Sequence, residues 1–320
     1  MRYLKTLIIT LLIGLSSFVF GTEFGYITYT TFNIGDDFQA LAAKRFLPGN
    51  PQKIDREFIG VFQHQTPLPT LVNGWFMHTK DFCWYRHDVP APEKSWPPSP
   101  SINPLLISIH LAEGFIPYAF SNEAVEYLKA HAPIGARDLN TLQELESRNI
   151  PSYFSGCLCL TMENEYKARN DIIYAVDLDD ECYNYLKSRT NYPVLRLTHI
   201  IDQEIAFNPE KRLAYTLAVL EKYKKAKAVV TVRLHGTMPC LAFETPVLII
   251  NERNDKRLHG LRELAHNCNR EEFLNGQFDF DFNNPDQNPR QYLNLRENLI
   301  NIVNNWVANH EILQHEVSLQ

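Results

Sequence analysis

The sequence predicts an α/β fold made of two Rossmann-like lobes that face each other across a cleft. Short apolar, β-rich runs alternate with helical patterns through most of the chain, which is the rhythm of parallel sheets joined by crossover helices. This series runs twice, dividing around residues 160–170, and 320 residues suit two domains of ordinary size. With 45% hydrophobic and 21% charged residues, the chain can bury a sizeable core and does not have the composition of a disordered protein.

Residues 1–21 read as a signal peptide. Arg2 and Lys5 precede an apolar run over 7–20, and Val19 and Gly21 supply the small pair expected at a cleavage site. The run is shorter than the roughly 20 apolar residues that span a bilayer, and Thr10, Gly14 and Ser16 interrupt it. The mature chain is therefore expected to be secreted or extracytoplasmic, with no stable membrane span after cleavage. An uncleaved anchor and a cytoplasmic chain are the alternatives.

The first lobe spans residues 22–165, with strands expected at 24–30, 58–62, 70–76, 105–110 and 152–154. Helical periodicity marks 37–46 and 123–130, and Asn140 followed by Gln143 resembles a capping box that opens a helix to Asn149. Residues 90–104 are proline-rich around Trp96, which excludes helix and central strand and predicts a long surface loop. The second lobe, 166–289, should hold strands at 172–176, 194–197, 228–234 and 247–250, and helices at 181–189 and 209–226. On the long helix Leu213, Leu217, Leu220 and Lys224 share one stripe, the lysine being its solvated end. Residues 270–290, rich in Asn, Asp, Phe and Pro, read as a loop. Tyr292, Leu295, Leu299, Ile302 and Trp306 then mark an amphipathic helix in the closing segment 290–320. No internal sequence repeat is visible.

A net charge of −6 without a long basic run argues against nucleic acid as a partner. The lysines of 222–227 end a helix, where they suit its dipole. Six cysteines have neither the density of a disulfide scaffold nor the paired C-x-x-C spacing of a zinc site, so no metal is expected. Cys157 and Cys159 read as small core residues on one face.

Open parallel sheets bind ligands beyond the carboxyl ends of their strands, where helix N-termini present free N–H groups. Three strand-to-helix junctions stand out. In FNIGDD (32–37) Gly35 permits close backbone approach, while Asn33 and Asp36 are ligand candidates, with helix capping as the alternative for Asp36. In PIGARDLNTLQ (133–143) Arg137 ends a short apolar segment and points toward the cleft, unless it forms a surface pair with Asp138 or Glu144. In 228–250 Arg233 and His235, two apart, should leave a strand on the same face and enter one pocket. Gly236 and Thr237 then turn the chain into a helix whose first N–H groups favour an anion.

NIGDDFQALAAKRFLP, NGWFMH, WPPSPSINPL, PIGARDLNTLQ, YFSGCLCLTM and VRLHGTMPCLAFETPVLII resemble, in order and over nearly all the mature chain, motifs of the polysaccharide pyruvyl transferase family. The resemblance implies a glycosyltransferase-B-like fold and transfer of the enolpyruvyl carbons of phosphoenolpyruvate onto sugar hydroxyls, leaving a cyclic pyruvate ketal. It places Arg233 and His235 on the family's Arg-x-His element, Arg137 on its mid-chain arginine, and Asn33, Gly35 and Asp36 on its N-terminal motif. Two arginines suit a donor carrying a carboxylate and a phosphate, and His235 is the expected acid. The expected partners are that donor and a saccharide acceptor, with no cofactor. The rival readings are a nucleotide-sugar glycosyltransferase and a non-catalytic secreted carbohydrate-binding protein.

Overall fold

Two sheets, each with all its strands parallel, carry the fold in the computed structural model, which describes residues 22–77, 92–252 and 254–317. The expected signal peptide, Cys83 and part of the proline-rich stretch lie outside those residues. The first lobe runs β1 (Gly25–Thr28), α1 (Gly35–Lys44), β2 (Gln52–Asp55), β3 (Leu68–Phe76), β4 (Ile102–Leu111), α2 (Ile116–Ala119), α3 (Asn122–Ala130), β5 (Ile134–Ala136), α4 (Leu139–Glu146) and β6 (Ser152–Phe154). The second runs β7 (Ile173–Val176), α5 (Asp180–Ser188), β8 (Val194–Leu197), α6 (Gln203–Ala206), α7 (Pro209–Lys225), β9 (Ala228–Thr231), α8 (Leu234–Ala242), β10 (Val247–Ile250), β11 (His266–Cys268) and α9 (Arg270–Leu274). The chain closes with α10 (Tyr292–Val317).

The sheet orders are β2-β1-β3-β4-β5-β6 and β11-β10-β9-β7-β8. Both wind the same way: the first strand lies between the second and the third, and the rest follow outward. The winding therefore reverses between β1 and β3 and again between β7 and β9, and such switch points open ligand crevices at the carboxyl ends of doubly wound sheets. The two lobes thus repeat a topology that no sequence repeat announces.

Several local expectations are corrected. Residues 58–62 form no strand, because Asp55 accepts a bond from Glu57 N at 2.9 Å and opens a 3₁₀ turn over Arg56–Phe58. The strand lies just before, in β2. β11 was not foreseen, its three residues being too few to display a period, whereas β5 is the short apolar segment that ends at Arg137. The cap of α4 is Asp138, whose side chain accepts from Thr141 N at 2.9 Å, and not Asn140. Trp96 of the proline-rich stretch is buried, packing on Phe76 and Phe115 at 4.9 and 5.7 Å, so that part is no surface loop. Pro104 lies inside β4, a central strand, but at a level where only β3 is paired with it, since β5 meets β4 at Ile109. Residues 270–274 form α9, opened by a capping box between Asn269 and Glu272, and Phe273, Phe280 and Phe282 of the expected loop fill the second lobe's core.

On α7 the buried stripe is Arg212, Thr216, Val219 and Tyr223, with Leu220 beside it, while Leu213 and Leu217 are 47% and 49% exposed. Polar anchoring sets the rotation of this helix. Arg212 Nε and NH2 donate to the Asp37 carboxylate at 2.8 and 2.6 Å, and NH1 donates to Thr31 O. Tyr223 OH meets His199 Nε2 at 2.7 Å.

The Arg212 bonds cross the seam between the lobes, where His199 also sits. The loop after β1 meets the loop after β8 through an Asn33–Ile200 bridge, with Ile34 N donating to His199 O and Ile201 N to Phe32 O, both at 2.9 Å. One hydrophobic cluster runs from β1 and β3 across to Val229, Leu241 and Ile249 of the second lobe. α10 returns to the first lobe, where Trp306 lies 5.7 Å from Phe24 and His310 approaches Asn103 at 3.2 Å. Among the described residues no helix is long and apolar enough to cross a membrane.

The Asp37–Arg212 pair is nearly buried, and removing one partner strands the other charge. Asp37→Ala should therefore cost about 3–5 kcal/mol of stability. Urea denaturation measures this, and a loss below about 1 kcal/mol would instead assign the seam to apolar packing alone.

Candidate active site

The carboxyl ends of β1, β3, β5, β8, β9 and β10 converge on one cavity of about 270 Å³, lined among others by Asn33, Asp36, Trp75, Arg137, His199, Arg233, Leu234, His235, Asn251 and Arg257. A larger cavity of about 490 Å³ lies at the opposite edge of the second sheet, beside Arg169, Lys227 and Asn288. Its best-placed polar groups are already engaged: Asn288 bonds Val247 N and Thr245 O, and Arg169 bonds Thr245 Oγ1 and the Phe243 carbonyl. The smaller cavity is the better site because four of its lining residues keep buried polar side-chain atoms without a partner.

Arg137 follows β5 and is only 2% exposed, yet its guanidinium donates no hydrogen bond among the described residues. Its one acidic neighbour, Asp138, stands 3.9 Å away and is committed to His110 Nδ1 at 2.6 Å and to the cap of α4. The expected alternative of a surface pair with Glu144 does not occur, since Glu144 pairs with Arg148 at 2.8 Å. Burial and the Arg137 charge push the His110 pKa down against the pull of Asp138. Trp75 Nε1, His199 Nδ1 and His235 Nε2 are also buried without a partner on the same cavity wall. Such groups are costly unless something bonds them, and a ligand with several acceptors would satisfy them together.

β9 ends at Thr231, so Arg233 and His235 are not on a strand face. Arg233 is the N-cap of α8, and His235 sits in its first turn. Both nevertheless line the cavity. Asp177, in the left-handed region at φ 55°, follows β7 and accepts from Arg233 Nε at 2.8 Å and from His199 N at 3.1 Å. It thereby fixes the Arg233 fork at the switch point. Gly236 and Thr237 do not line the cavity. A Cβ on Gly236 would stand 2.5 Å from Thr231 Oγ1, so this glycine serves helix-to-strand packing, and the Thr237 hydroxyl donates to Arg233 O at 3.0 Å.

At the first junction the α1 cap is Ile34, without a side-chain bond, so Asp36 is not the cap. Asp36 is buried and accepts from Thr31 Oγ1 at 3.0 Å, and Asn33 Oδ1 accepts from Gly35 N at 2.9 Å. Gly35 does permit a close approach, but of His235: a Cβ there would lie 2.9 Å from His235 Nδ1. The Cys157 and Cys159 thiols, fully buried as core residues should be, lie beside the same imidazole, the ligand atoms of all three falling within 4.8 Å of one another. Burial alone would raise the Cys157 thiol, but hydrogen bonds with Cys159 and His235, and the charges of His235 and Arg137, hold it well below its usual range. Burial and the neighbouring Cys157 push Cys159 up.

The profile of the polysaccharide pyruvyl transferase family matches residues 33–254, a span that opens at Asn33 and takes in Arg137, Arg233 and His235. The chain belongs to that family. It is accordingly an enzyme, a transferase of polysaccharide biosynthesis with a saccharide acceptor. No curated protein matches the chain. Within this pyruvyl transferase, Trp75, His199, Asn251 and Arg257 are cavity residues that were not singled out from the sequence. His199 and Asn251 each follow a correctly placed strand within two residues, so the junction rule applied to every strand would have found them.

Burial pushes the His199 pKa down to about 3, against the opposing pull of Asp177. This histidine is therefore neutral in the folded protein at ordinary pH. A depressed folded pKa gives stability that is present above the unfolded value of about 6.5 and lost as the pH falls below it. Between pH 6.5 and 5 the wild type should lose about 1.5 kcal/mol more than His199→Gln, read from urea midpoints at each pH. Parallel losses in the two proteins would show that His199 charges freely.

Proposed function

We propose that this family member transfers pyruvate from phosphoenolpyruvate onto two hydroxyls of one saccharide, leaving a cyclic ketal, in a glycosyltransferase-B-like cleft. The observation that carries this reading is the buried Arg137 guanidinium, which donates no hydrogen bond among the described residues, stands 3.9 Å from its one acidic neighbour Asp138, and shares one cavity with Arg233 and His235. A buried cation so weakly compensated favours an anionic ligand by several kcal/mol. Arg137, together with the part of the Arg233 fork that Asp177 leaves free, suits a small molecule with a carboxylate and a phosphate, each of which a planar guanidinium grips in a fork.

The chemistry follows from these groups. His235 donates a proton to the methylene carbon of the donor, and the neighbouring carbon becomes cationic. A sugar hydroxyl attacks that carbon, and its proton passes to Asp36, the acidic group on the cavity wall. The C–O bond to phosphate then breaks, with the departing dianion held by the arginines and by the first free N–H groups of α8. A second hydroxyl of the same sugar attacks the carbon that phosphate has left and closes the ketal, its proton returning to His235. Neutral His199 and the Trp75 N–H are hydrogen-bonding groups for the bound molecules in this scheme.

The cavity volume, about 270 Å³, favours this donor over a nucleotide sugar, since it falls at the bottom of the roughly 300–1,000 Å³ of common small-molecule sites. In this reading the leader carries the protein to an extracytoplasmic compartment that receives the donor.

The test is to incubate the purified protein with phosphoenolpyruvate and galactose- and mannose-terminated glycans, then to follow pyruvate addition by mass spectrometry and phosphate release. Arg137→Ala and Arg233→Ala should each weaken donor binding by roughly 100-fold, the worth of about 3 kcal/mol. His235→Ala should keep donor binding by calorimetry while stopping turnover. Unchanged phosphate release in that variant would reject the acid role, and turnover with nucleotide sugars alone would reject the donor.

A further inference from the structure

Cys157 and Cys159 follow β6 in the first lobe, and His235 opens α8 in the second, so the fold gathers three soft ligands from two lobes at one point. The sequence conceals this, because C-x-C lacks zinc spacing and the third group is remote in the chain. All three residues are buried, and the nearest atoms that could bind a metal fall within 4.8 Å of one another. A tetrahedral zinc ion with bonds of about 2.0–2.3 Å needs its ligands roughly 3.7 Å apart, so movements on the order of 1 Å would close the set.

We propose that Cys157, Cys159 and His235 bind a thiophilic divalent cation, Zn²⁺ above all, and that a bound cation withdraws His235 from proton transfer. The second half of this proposal rests on the donor chemistry argued above; the first half does not. Two thiolates and an imidazole form a donor set that zinc prefers over magnesium or calcium, and three protein ligands leave a fourth position open. Each thiol gives up its proton to solvent as its S–metal bond forms. Access is through the cavity, which His235 lines.

Zinc is colourless, so the full chain, reduced and free of air, is titrated with Co²⁺. The expected result is one Co²⁺ per chain, with near-ultraviolet thiolate-to-metal absorption and strong visible bands that Zn²⁺ erases. Cys159→Ser and His235→Asn should each weaken Co²⁺ binding roughly tenfold or more, with circular dichroism confirming the fold. If the serine variant does not fold, His235→Asn carries the comparison. Absence of thiolate absorption, or unchanged affinity in His235→Asn, overturns the site. Zn²⁺ should also inhibit pyruvyl transfer reversibly by chelation. Binding without inhibition of measurable transfer overturns the withdrawal of His235. Binding by a protein that shows no pyruvyl transfer supports the metal site while refuting the donor reading.

Discussion

Everything at the cavity depends on holding the carboxyl ends of two parallel sheets against each other. Polar bonds in the loop after β1 do this: Ile34 N to His199 O, Ile201 N to Phe32 O, and the Arg212 fork on Asp37. Asn33 lies in that loop, and Gly35 and Asp36 open α1 directly after it. Seam and site are therefore one structure, and the loop cannot shift to suit a ligand without loosening the lobes. This explains why Asp36 and Asp37, adjacent in sequence, have different duties. Asp36 faces the cavity beneath Thr31, while Asp37 fastens the helix of the opposite lobe.

Much of this architecture can be read from the chain. Long, strongly patterned strands such as β3 and β4, and the junctions at Asn33, Arg137 and Arg233, are legible because apolar runs end abruptly at polar residues with turn chemistry. What was misread has a common cause. Leu213 and Leu217 look like a core stripe, but the rotation of α7 is set by Arg212 and Tyr223, whose partners lie in loops distant in sequence. Trp96 looks exposed among prolines, but Phe76 and Phe115 form its pocket from two other elements. Periodicity reports the face a helix could bury, not the face its neighbours select.

The Arg-x-His element shows the same limit at the scale of chemistry. A strand ending at Thr231 rather than beyond His235 changes the reason that Arg233 and His235 share a cavity. Strand alternation does not align them; a helix N-terminus does, with Asp177 holding the guanidinium and Gly35 admitting the imidazole. Gly35 thus matters for what it lacks. Any side chain there would meet His235 Nδ1 and Asn33 Oδ1 at about 3 Å, so the first lobe decides where the second lobe's histidine can stand.

Charge distribution then separates the roles of the arginines in the cavity and at the seam. Arg212 and Arg257 are neutralised by Asp37 and Asp255 in two-pronged pairs, and serve the frame. Arg233 keeps part of its fork free, since only Nε is engaged with Asp177. Arg137 is the least compensated and the most buried of the four, with Asp138 turned toward His110 instead. Binding a dianion between Arg137 and Arg233 would restore the balance that the fold leaves open. On the proposed reading the donor's phosphate and carboxylate rest between Arg137 and Arg233, and the neutral groups on the same wall, Trp75, Asn251 and His199, are left for the acceptor.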